Sequence, residues 1–191
     1  AEDRPFDGLV RDCKQIIMRT SMASEINTLS HQLDRITERN RNYRDFTLSN
    51  LRYALREFIA SLAIYRSYTT PEARVSERDR RFVDLACQEA KRQNQRTSGD
   101  IFDFIRDTVL LRNLDQFPRG DRSQVLDWVL RFQQVTGPIM AKGIEDTAFY
   151  VYNTLISLNE VGGHPDPHES TVEAFHKQNA ERAAHWPSAM L

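Results

Sequence analysis

The chain has 191 residues, enough for one domain with a core of its own, and its 26 basic and 27 acidic side chains leave a formal net charge of -1. This balance argues against a general surface for nucleic acid or anionic membranes, because both require a basic excess. Seven glycines and seven prolines are few for the turns of an all-β chain. No apolar run approaches the roughly 20 residues that span a bilayer. The first residues, AEDRPFDG, lack the pattern of a signal peptide.

Two cysteines, Cys13 and Cys87, lie far apart on predicted helices. Two distant cysteines form no metal motif, and the disulfide framework of a small secreted protein would need more of them. We therefore expect free thiols in a reducing cytoplasm.

The first half of the chain predicts three helices. The first runs from about Pro5 to Arg19, and the second follows Ser24 as its N-cap. The third begins at the N-cap Thr47 and ends before Thr69-Thr70-Pro71, because proline disfavours helix in the residue ahead of it. The second helix carries one apolar stripe: Ile26, Leu29, Leu33 and Ile36.

Two further helices have recognisable starts. Ser76 and Asp79 resemble a capping box, and the helix that they open runs to about Gln95. Ser98 or Asp100 caps a fifth helix.

The C-terminal part predicts three more helices. Pro138 fits the first turn of a seventh helix, where its missing N–H costs nothing. Turn-forming residues make 162–167 an irregular loop, and Glu169 or Ser170 opens a last helix that ends near Ala184. We predict an all-α fold of about eight helices, with residues 1–191 as a single helical domain or subdomain. The sixth helix turns four side chains inward: Val125, Trp128, Val129 and Phe132.

The segment 131–163 combines charged, aromatic and amide residues in an order that amphipathic packing does not require. Sugars stack their C–H faces on aromatic rings, and their hydroxyls pair with carboxylate, amide and ammonium groups. A carbohydrate site therefore has these candidate residues: Lys142, Glu145, Asp146, Phe149, Tyr150, Tyr152, Asn153, Asn159 and Glu160.

A purely structural interpretation of the same residues stays open. Lys142 could form an ordinary helical ion pair with Glu145 or Asp146. Phe149 and Tyr152, three positions apart, could be plain core. Asn159 and Glu160 could bond to their own backbone.

The same segment resembles maltooligosyl trehalose synthases, enzymes of the α-amylase superfamily. The blocks that carry the resemblance are RFQQ at 131–134, GPIMAKGIEDT at 137–147, FY at 149–150, YN at 152–153 and NEVGG at 159–163. Upstream, ASEIN at 23–27, REFIA at 56–60 and Tyr65-Arg66 are similar to that family, as are Phe175-His176, Trp186-Pro187 and Met190-Leu191 downstream. Val151, Thr154 and His164 depart from the pattern, standing where two arginines and an acid are expected.

The resemblance implies a piece of a longer β/α-barrel enzyme. Such an enzyme is an isomerase of trehalose biosynthesis, which converts the reducing-end α-1,4 link of a maltooligosaccharide into the α,α-1,1 link of trehalose. The implied catalytic carboxylates lie outside this chain, so we expect no catalytic residue in it, no cofactor and no activity of its own. The expected partners are the maltooligosaccharide and the barrel of the same polypeptide, with 131–163 facing the cleft. Without the barrel, exposed apolar surface could make the chain dimerise.

The residues alone support this expectation of inactivity. Glu145 and Asp146 are neighbours that point about 100° apart on a helix, which suits no pair of glycosidase carboxylates. His164 and His168 have the spacing of helical metal ligands, but Pro165 and Pro167 break the helix, so no metal site is predicted. No nucleophile elbow and no phosphate-binding loop occurs. The alternative function is a helical protein-interaction module without sugar contact.

Overall fold

The computed structural model describes residues 5–70, 72, 74–153, 156–163, 165 and 172–186. Within these ranges every regular element is helical, so the all-α prediction is confirmed. The α-helices longer than three residues are α1 (Phe6–Arg19), α2 (Ala23–Glu38), α3 (Leu48–Ala60), α4 (Glu77–Gln93), α5 (Gly99–Val109), α6 (Arg122–Gly143) and α7 (Val172–His185). A π-helical segment (Ile144–Ala148) and one turn (Phe149–Val151) continue α6, and short 3-10 turns lie at Leu114–Gln116 and Ile156–Leu158.

The described residues hold seven such helices rather than about eight, because Pro138 does not open a new one. Instead α6 runs unbroken for 22 residues through Gly137 and Pro138. The Pro138 ring is exposed, and its missing N–H leaves only the carbonyl of Gln134 without its helical donor. Ile139 and Met140 are buried directly after it, and their packing holds the helix together.

Three of the predicted helix starts are confirmed. The hydroxyls of Thr47, Ser76 and Ser98 accept backbone N–H groups at 3.3, 3.0 and 3.4 Å at the starts of α3, α4 and α5. The prediction for Ser24 is wrong, because α2 begins at Ala23 and no side chain caps it. The last predicted helix corresponds to α7, but its predicted caps Glu169 and Ser170 lie outside the described residues.

The main core lies between α2, α3, α4, α5 and α6. Trp128 and Phe132 of α6 stack at 5.4 Å between ring centroids, and the Trp128 indole N–H donates to the Leu29 carbonyl at 2.9 Å. The four predicted inward residues of this helix are all buried, as expected. We call this cluster the main core.

A second, smaller cluster joins the first half of α1 to the segment that follows α6. Its buried members are Phe6, Val10, Cys13 and Ala148. Leu9, Ile144, Phe149 and Tyr152 pack against them. This cluster, named here the α1 cluster, fixes the position of the segment that the sequence singled out.

Candidate functional site: a cavity beside the π-helical segment

The backbone changes its helical period where the candidate residues begin. After Gly143 the chain forms a π-helical segment, and the Thr147 hydroxyl donates to the Lys142 carbonyl at 2.7 Å. Single π-helical turns within α-helices occur often at functional sites, since they re-aim the side chains that follow.

Gly143 lets α6 lie directly on the backbone of α1. A Cβ atom at this position would lie 2.9 Å from the Lys14 Cγ and 3.2 Å from the Lys14 backbone nitrogen. Such contacts are closer than carbon atoms tolerate, so only glycine fits. This close approach explains why position 143 is a glycine. Helical periodicity alone does not explain it.

Lys14 is a buried cation that joins α1 to the end of α3. Its Nζ atom donates to the Leu62 carbonyl at 2.8 Å and to the Ala60 carbonyl at 3.4 Å. These carbonyls lie just at the C-terminal end of α3, where a cation is favoured. Burial lowers the pKa of Lys14 to about 8, with Asp7 opposing the shift and Arg11 adding to it.

A cavity of about 480 Å³ opens between α1, the end of α3, the π-helical segment and the glycine pair at 162–163. Its volume falls in the range of roughly 300–1,000 Å³ that ligand sites occupy. Its apolar wall is formed by Phe6, Val10, Leu62, Met140, Ile144 and Phe149, and its polar groups come from Asp7, Arg11, Lys14, Ser61, Tyr65 and Glu89. We call it the α1–π cavity.

Tyr65 lines this cavity, and its partner is Glu145 of the π-helical segment. The Tyr65 hydroxyl donates a hydrogen bond to the Glu145 carboxylate. Burial raises the pKa of Tyr65 to about 12, and the hydrogen bond to Glu145 raises it in the same direction. The phenol therefore stays protonated and holds the carboxylate in place.

The loop that carries Tyr65 is pinned to its neighbours by polar bonds. The Gln133 side chain accepts from the Thr69 N–H at 2.9 Å and donates to the Thr69 carbonyl at 3.0 Å. The Asp79 carboxylate accepts from the Tyr68 N–H at 2.9 Å. Gln133 is thus a buried polar anchor.

The aromatic candidates separate into two groups. Phe149 stacks on Phe6 at 5.8 Å between centroids, and Tyr152 meets Phe6 edge-on at 5.1 Å. Both are half-buried in the α1 cluster, and Phe149 also lines the cavity. Tyr150 is 85% exposed and makes neither contact.

The polar candidate residues differ in their contacts and exposure. Lys142 and Asp146 form a helical ion pair at 4.0 Å, while Glu145 is held by Tyr65 instead. Asn153 and Glu160 are exposed. Of the candidate residues, the structure therefore brings Phe149 to the cavity wall and Glu145 to the hydroxyl of Tyr65, which lines the cavity. The other candidate residues are not among those that line it.

Asn159 shapes the backbone around the cavity. Its side-chain amide donates to the carbonyls of Phe149 at 2.8 Å and Tyr152 at 2.5 Å, so it bonds to the backbone of the preceding segment and not to that of its own loop. Gly162 has a φ of +79°, and a Cβ on Gly163 would lie 2.9 Å from the Glu160 carbonyl oxygen. The glycine pair is therefore a steric requirement of this loop.

The sequence pattern does not indicate the contribution of α1 and of Tyr65 to this site. Tyr65 lies 80 positions from Glu145, and no local pattern predicts their contact. The one available signal was the appearance of Tyr65-Arg66 among the blocks that carry the family resemblance.

The described residues contain no group of three or more histidine, cysteine, aspartate or glutamate side chains placed to hold a metal ion. His164 and His168 lie outside these residues. Cys13 and Cys87 are both buried thiols, and burial raises the pKa of Cys87 to about 11. Of the helices described, none has the length and apolar character that crossing a membrane requires.

Two proteins of known name are similar to part of this chain. Each is called "Putative maltooligosyl trehalose synthase", one from Mycobacterium tuberculosis strain CDC 1551 / Oshkosh and one from strain ATCC 25618 / H37Rv. Both are 44% identical to this chain over 61 residues, which is 32% of this chain and 8% of each relative. The chain thus spans a small fraction of the relatives that it matches. No family model matches the chain, and no solved structure is similar to it.

Proposed function

We propose that the chain is a helical part of a maltooligosyl trehalose synthase, in which it walls the cleft and holds part of the maltooligosaccharide. The observation that carries this proposal is the 44% identity over 61 residues to two proteins of that name. The family resemblance of the blocks between 131 and 163 also supports the proposal, and it rests on several blocks together and not on a single side chain.

The α1–π cavity has the chemistry that a glucose unit requires. A sugar ring needs an apolar wall for its C–H face and charged or hydroxyl groups for its edge. Phe149 and Ile144 supply such a wall, and Tyr65 with its partner Glu145 supplies oriented hydrogen-bonding groups. Tyr150 offers an exposed ring next to Phe149 for a further unit of the chain.

The proposed role is binding and shielding rather than bond cleavage. In the full enzyme, a freed glucose must stay in the cleft and turn before its anomeric hydroxyl attacks the glycosyl-enzyme. Water must be kept from that intermediate, or hydrolysis replaces transfer. We assign the nucleophile and the general acid to the proposed barrel and propose isomerase activity for the full enzyme alone.

A second candidate is an interaction module, and one surface favours it. Tyr150, Val151, Ile156 and Val161 lie close together in sequence and are all more than half exposed. Exposed apolar groups of this kind mark interaction surfaces when they form a contiguous patch. In the first proposal Tyr150 faces the sugar and the barrel covers the three aliphatic side chains. In the second, another protein or a second copy of the chain covers the whole surface.

An NMR titration of backbone amides with maltopentaose tests the proposal. We expect shifts at Tyr65, at residues 142–152 and at the glycine pair, since these surround the cavity. Cellopentaose, a β-linked pentasaccharide of the same composition, is the matched control and should cause smaller shifts. A dispersed spectrum that maltopentaose leaves unchanged would contradict sugar binding by this chain and favour the interaction module.

A further inference from the structure

Lys14 contacts both segments that carry the hydrogen-bonded pair Tyr65 and Glu145. Its Nζ atom donates to the Leu62 carbonyl at 2.8 Å, three residues before Tyr65. A Cβ atom on Gly143 would lie 3.2 Å from the Lys14 Cα atom, so α6 rests on the Lys14 backbone two residues before Glu145. The two partners are 80 positions apart in the sequence, and Lys14 touches the chain close to each of them.

The segment 62–70 follows α3 and is called here the Tyr65 loop. At its far end, the Gln133 side chain makes two hydrogen bonds with the Thr69 backbone, at 2.9 and 3.0 Å. At its near end, the ammonium group of Lys14 holds the first backbone carbonyl of the loop at 2.8 Å. The side chains of a binding site keep their geometry only where neighbouring residues fix them. Each anchor of this loop therefore helps to decide where the phenol lies.

The anchor at the near end is a buried cation, which is costly to place in a protein interior. Lys14 is 4% exposed. Its second acceptor is the Ala60 carbonyl at 3.4 Å, and both carbonyls lie at the C-terminal end of α3, where the helix dipole favours a cation. A buried apolar side chain would fill the same space without the cost of desolvation. What the ammonium group adds is a set of directional bonds that fix how the chain leaves α3.

The Tyr65 loop does not depend on Lys14 for its attachment to the fold. Ile64, directly before Tyr65, is 5% exposed and keeps the loop packed on its neighbours. Loss of the Lys14 bonds should therefore change the direction of Tyr65 rather than release the loop. The bond from the Tyr65 hydroxyl to the Glu145 carboxylate is sensitive to such a change, because hydrogen bonds weaken steeply as their distance and angle depart from the optimum.

We propose that Lys14 is a positioning residue that places Tyr65 on Glu145 and, through this pair, orients the sugar in the α1–π cavity. It acts by holding both the start of the Tyr65 loop and the backbone of α6. The consequence for sugar binding rests on the proposed function, whereas the placement of Tyr65 does not. Substitution of Lys14 should therefore disturb the bond between Tyr65 and Glu145 whether or not a sugar is present.

The test is NMR of the full chain with carbon-13 at the Cζ atom of its six tyrosines, because this signal reports the hydrogen bond of the phenol. At pH 7 Lys14 is mostly charged, since its pKa is about 8. Tyr65→Phe assigns the Tyr65 signal, and Glu145→Ala gives its position when the bond is lost. Lys14→Met should shift the Tyr65 signal most of the way toward that position. A signal that stays where the parent chain has it would overturn the proposal.

Two further variants separate this placement from general effects on the fold. Lys91→Met makes the same change in a lysine that pairs with Asp103 at 2.6 Å between α4 and α5, so it should leave the Tyr65 signal unchanged. Lys14→Arg keeps a cation with several donors, and the adjoining cavity has room for the larger head group, so the signal should stay near its parent position. Equal shifts in Lys14→Met and Lys91→Met would contradict the proposal. Loss of the folded spectrum in Lys14→Met would show a general structural role and would contradict it as well.

A maltopentaose titration of the same variants measures the consequence for binding. Lys14→Met should bind about threefold to tenfold more weakly than Lys91→Met, as expected for the loss of one oriented hydrogen bond. A displaced Tyr65 signal with unchanged maltopentaose affinity would contradict the orientation of the sugar through this pair. Failure of the parent chain to bind maltopentaose would contradict the proposed function instead, and the Tyr65 signal would still decide whether Lys14 places the phenol.

Discussion

The main core and the α1 cluster are built by different rules. In the main core, apolar residues recur at the helical period, and large side chains such as Phe58, Trp128 and Phe132 fill the space between five helices. In the α1 cluster, the helical period changes at Ile144–Ala148, a glycine replaces a side chain at the helix contact, and a lysine is buried.

This difference separates residues that any helical core could use from residues that only this position accepts. A regular core needs only apolar residues at the right spacing, and many sequences meet that need. The surroundings of the α1 cluster need particular residues at Lys14, Gly143, Asn159 and Gly163, because each makes a close approach or a backbone contact there.

Phe58→Ala should produce the largest loss, because the ring is fully buried in the main core. We expect the free energy of unfolding to fall by about 3–5 kcal/mol, as large-to-small changes in cores do. Chemical denaturation followed by circular dichroism measures it. The matched control is Phe175→Ala on α7, where the ring is exposed and the change should be small. Similar losses in both variants would contradict the assignment of the main core.

Gly143→Ala and Gly137→Ala make the same change in one helix with opposite expected signs. At Gly143 the new methyl group meets the backbone of Lys14, which should cost about 1–3 kcal/mol of stability. At Gly137 nothing lies within 4 Å of the new Cβ, so the better helix former should stabilise the chain by up to about 1 kcal/mol. Denaturation of the two variants side by side provides the measurement. Equal effects would show that α6 does not lie on α1 at Gly143.

Lys14 should make stability depend on pH in a defined window. Its pKa is lowered in the folded chain to about 8 from 10.5, so the unfolded chain binds more protons between these values. Stability should therefore rise with pH, by about 1 kcal/mol between pH 7 and pH 9.

The comparison is with Lys14→Met, which lacks the titrating group and should show a smaller rise. The raised pKa values of Cys87 and Tyr65 act in the opposite direction at higher pH and are present in both chains. A parent chain that loses stability relative to Lys14→Met over this window would contradict the burial of Lys14.

Tyr150→Ala should leave stability within about 0.5 kcal/mol, as surface changes do, because the ring is exposed. It should weaken maltopentaose binding by about threefold to tenfold, which corresponds to loss of one stacked ring. Calorimetry or NMR titration measures the affinity, and denaturation measures the stability. Unchanged affinity would remove Tyr150 from the proposed sugar surface.

The sequence predicts the main core well, because that core follows periodicity. The apolar stripe of α2 and the inward face of α6 are buried as expected, and Thr47, Ser76 and Ser98 cap their helices. Two predictions were wrong: Ser24 as the N-cap of α2, and a new helix that begins at Pro138. In the second case, burial of Ile139 and Met140 outweighs the local preference of Gly137-Pro138 to interrupt the helix.

The candidate site was predictable as a segment but not as a set of contacts. The order of residues between 131 and 163 indicated a specific role, yet nothing local shows that Phe149 packs on Phe6 or that Tyr65 reaches Glu145. Contacts between residues 80 or more positions apart depend on how helices pack, which periodicity leaves undetermined. The π-helical turn also rotates the residues after Gly143 away from the faces that a regular helix predicts.

The central claim is that the α1–π cavity, and not merely an exposed aromatic surface, binds the sugar. Tyr65 and Tyr68 are both exposed, at 41% and 60%, but Tyr65 lines the cavity. Tyr68 is not among the lining residues, and the Arg66 guanidinium lies over its ring at 4.8 Å from the centroid. The most direct measurement is maltopentaose affinity of Tyr65→Ala beside Tyr68→Ala, with both variants first shown to be folded. Our account predicts that Tyr65→Ala loses binding while Tyr68→Ala keeps it. Retention of binding in Tyr65→Ala, or equal losses in both variants, would contradict it.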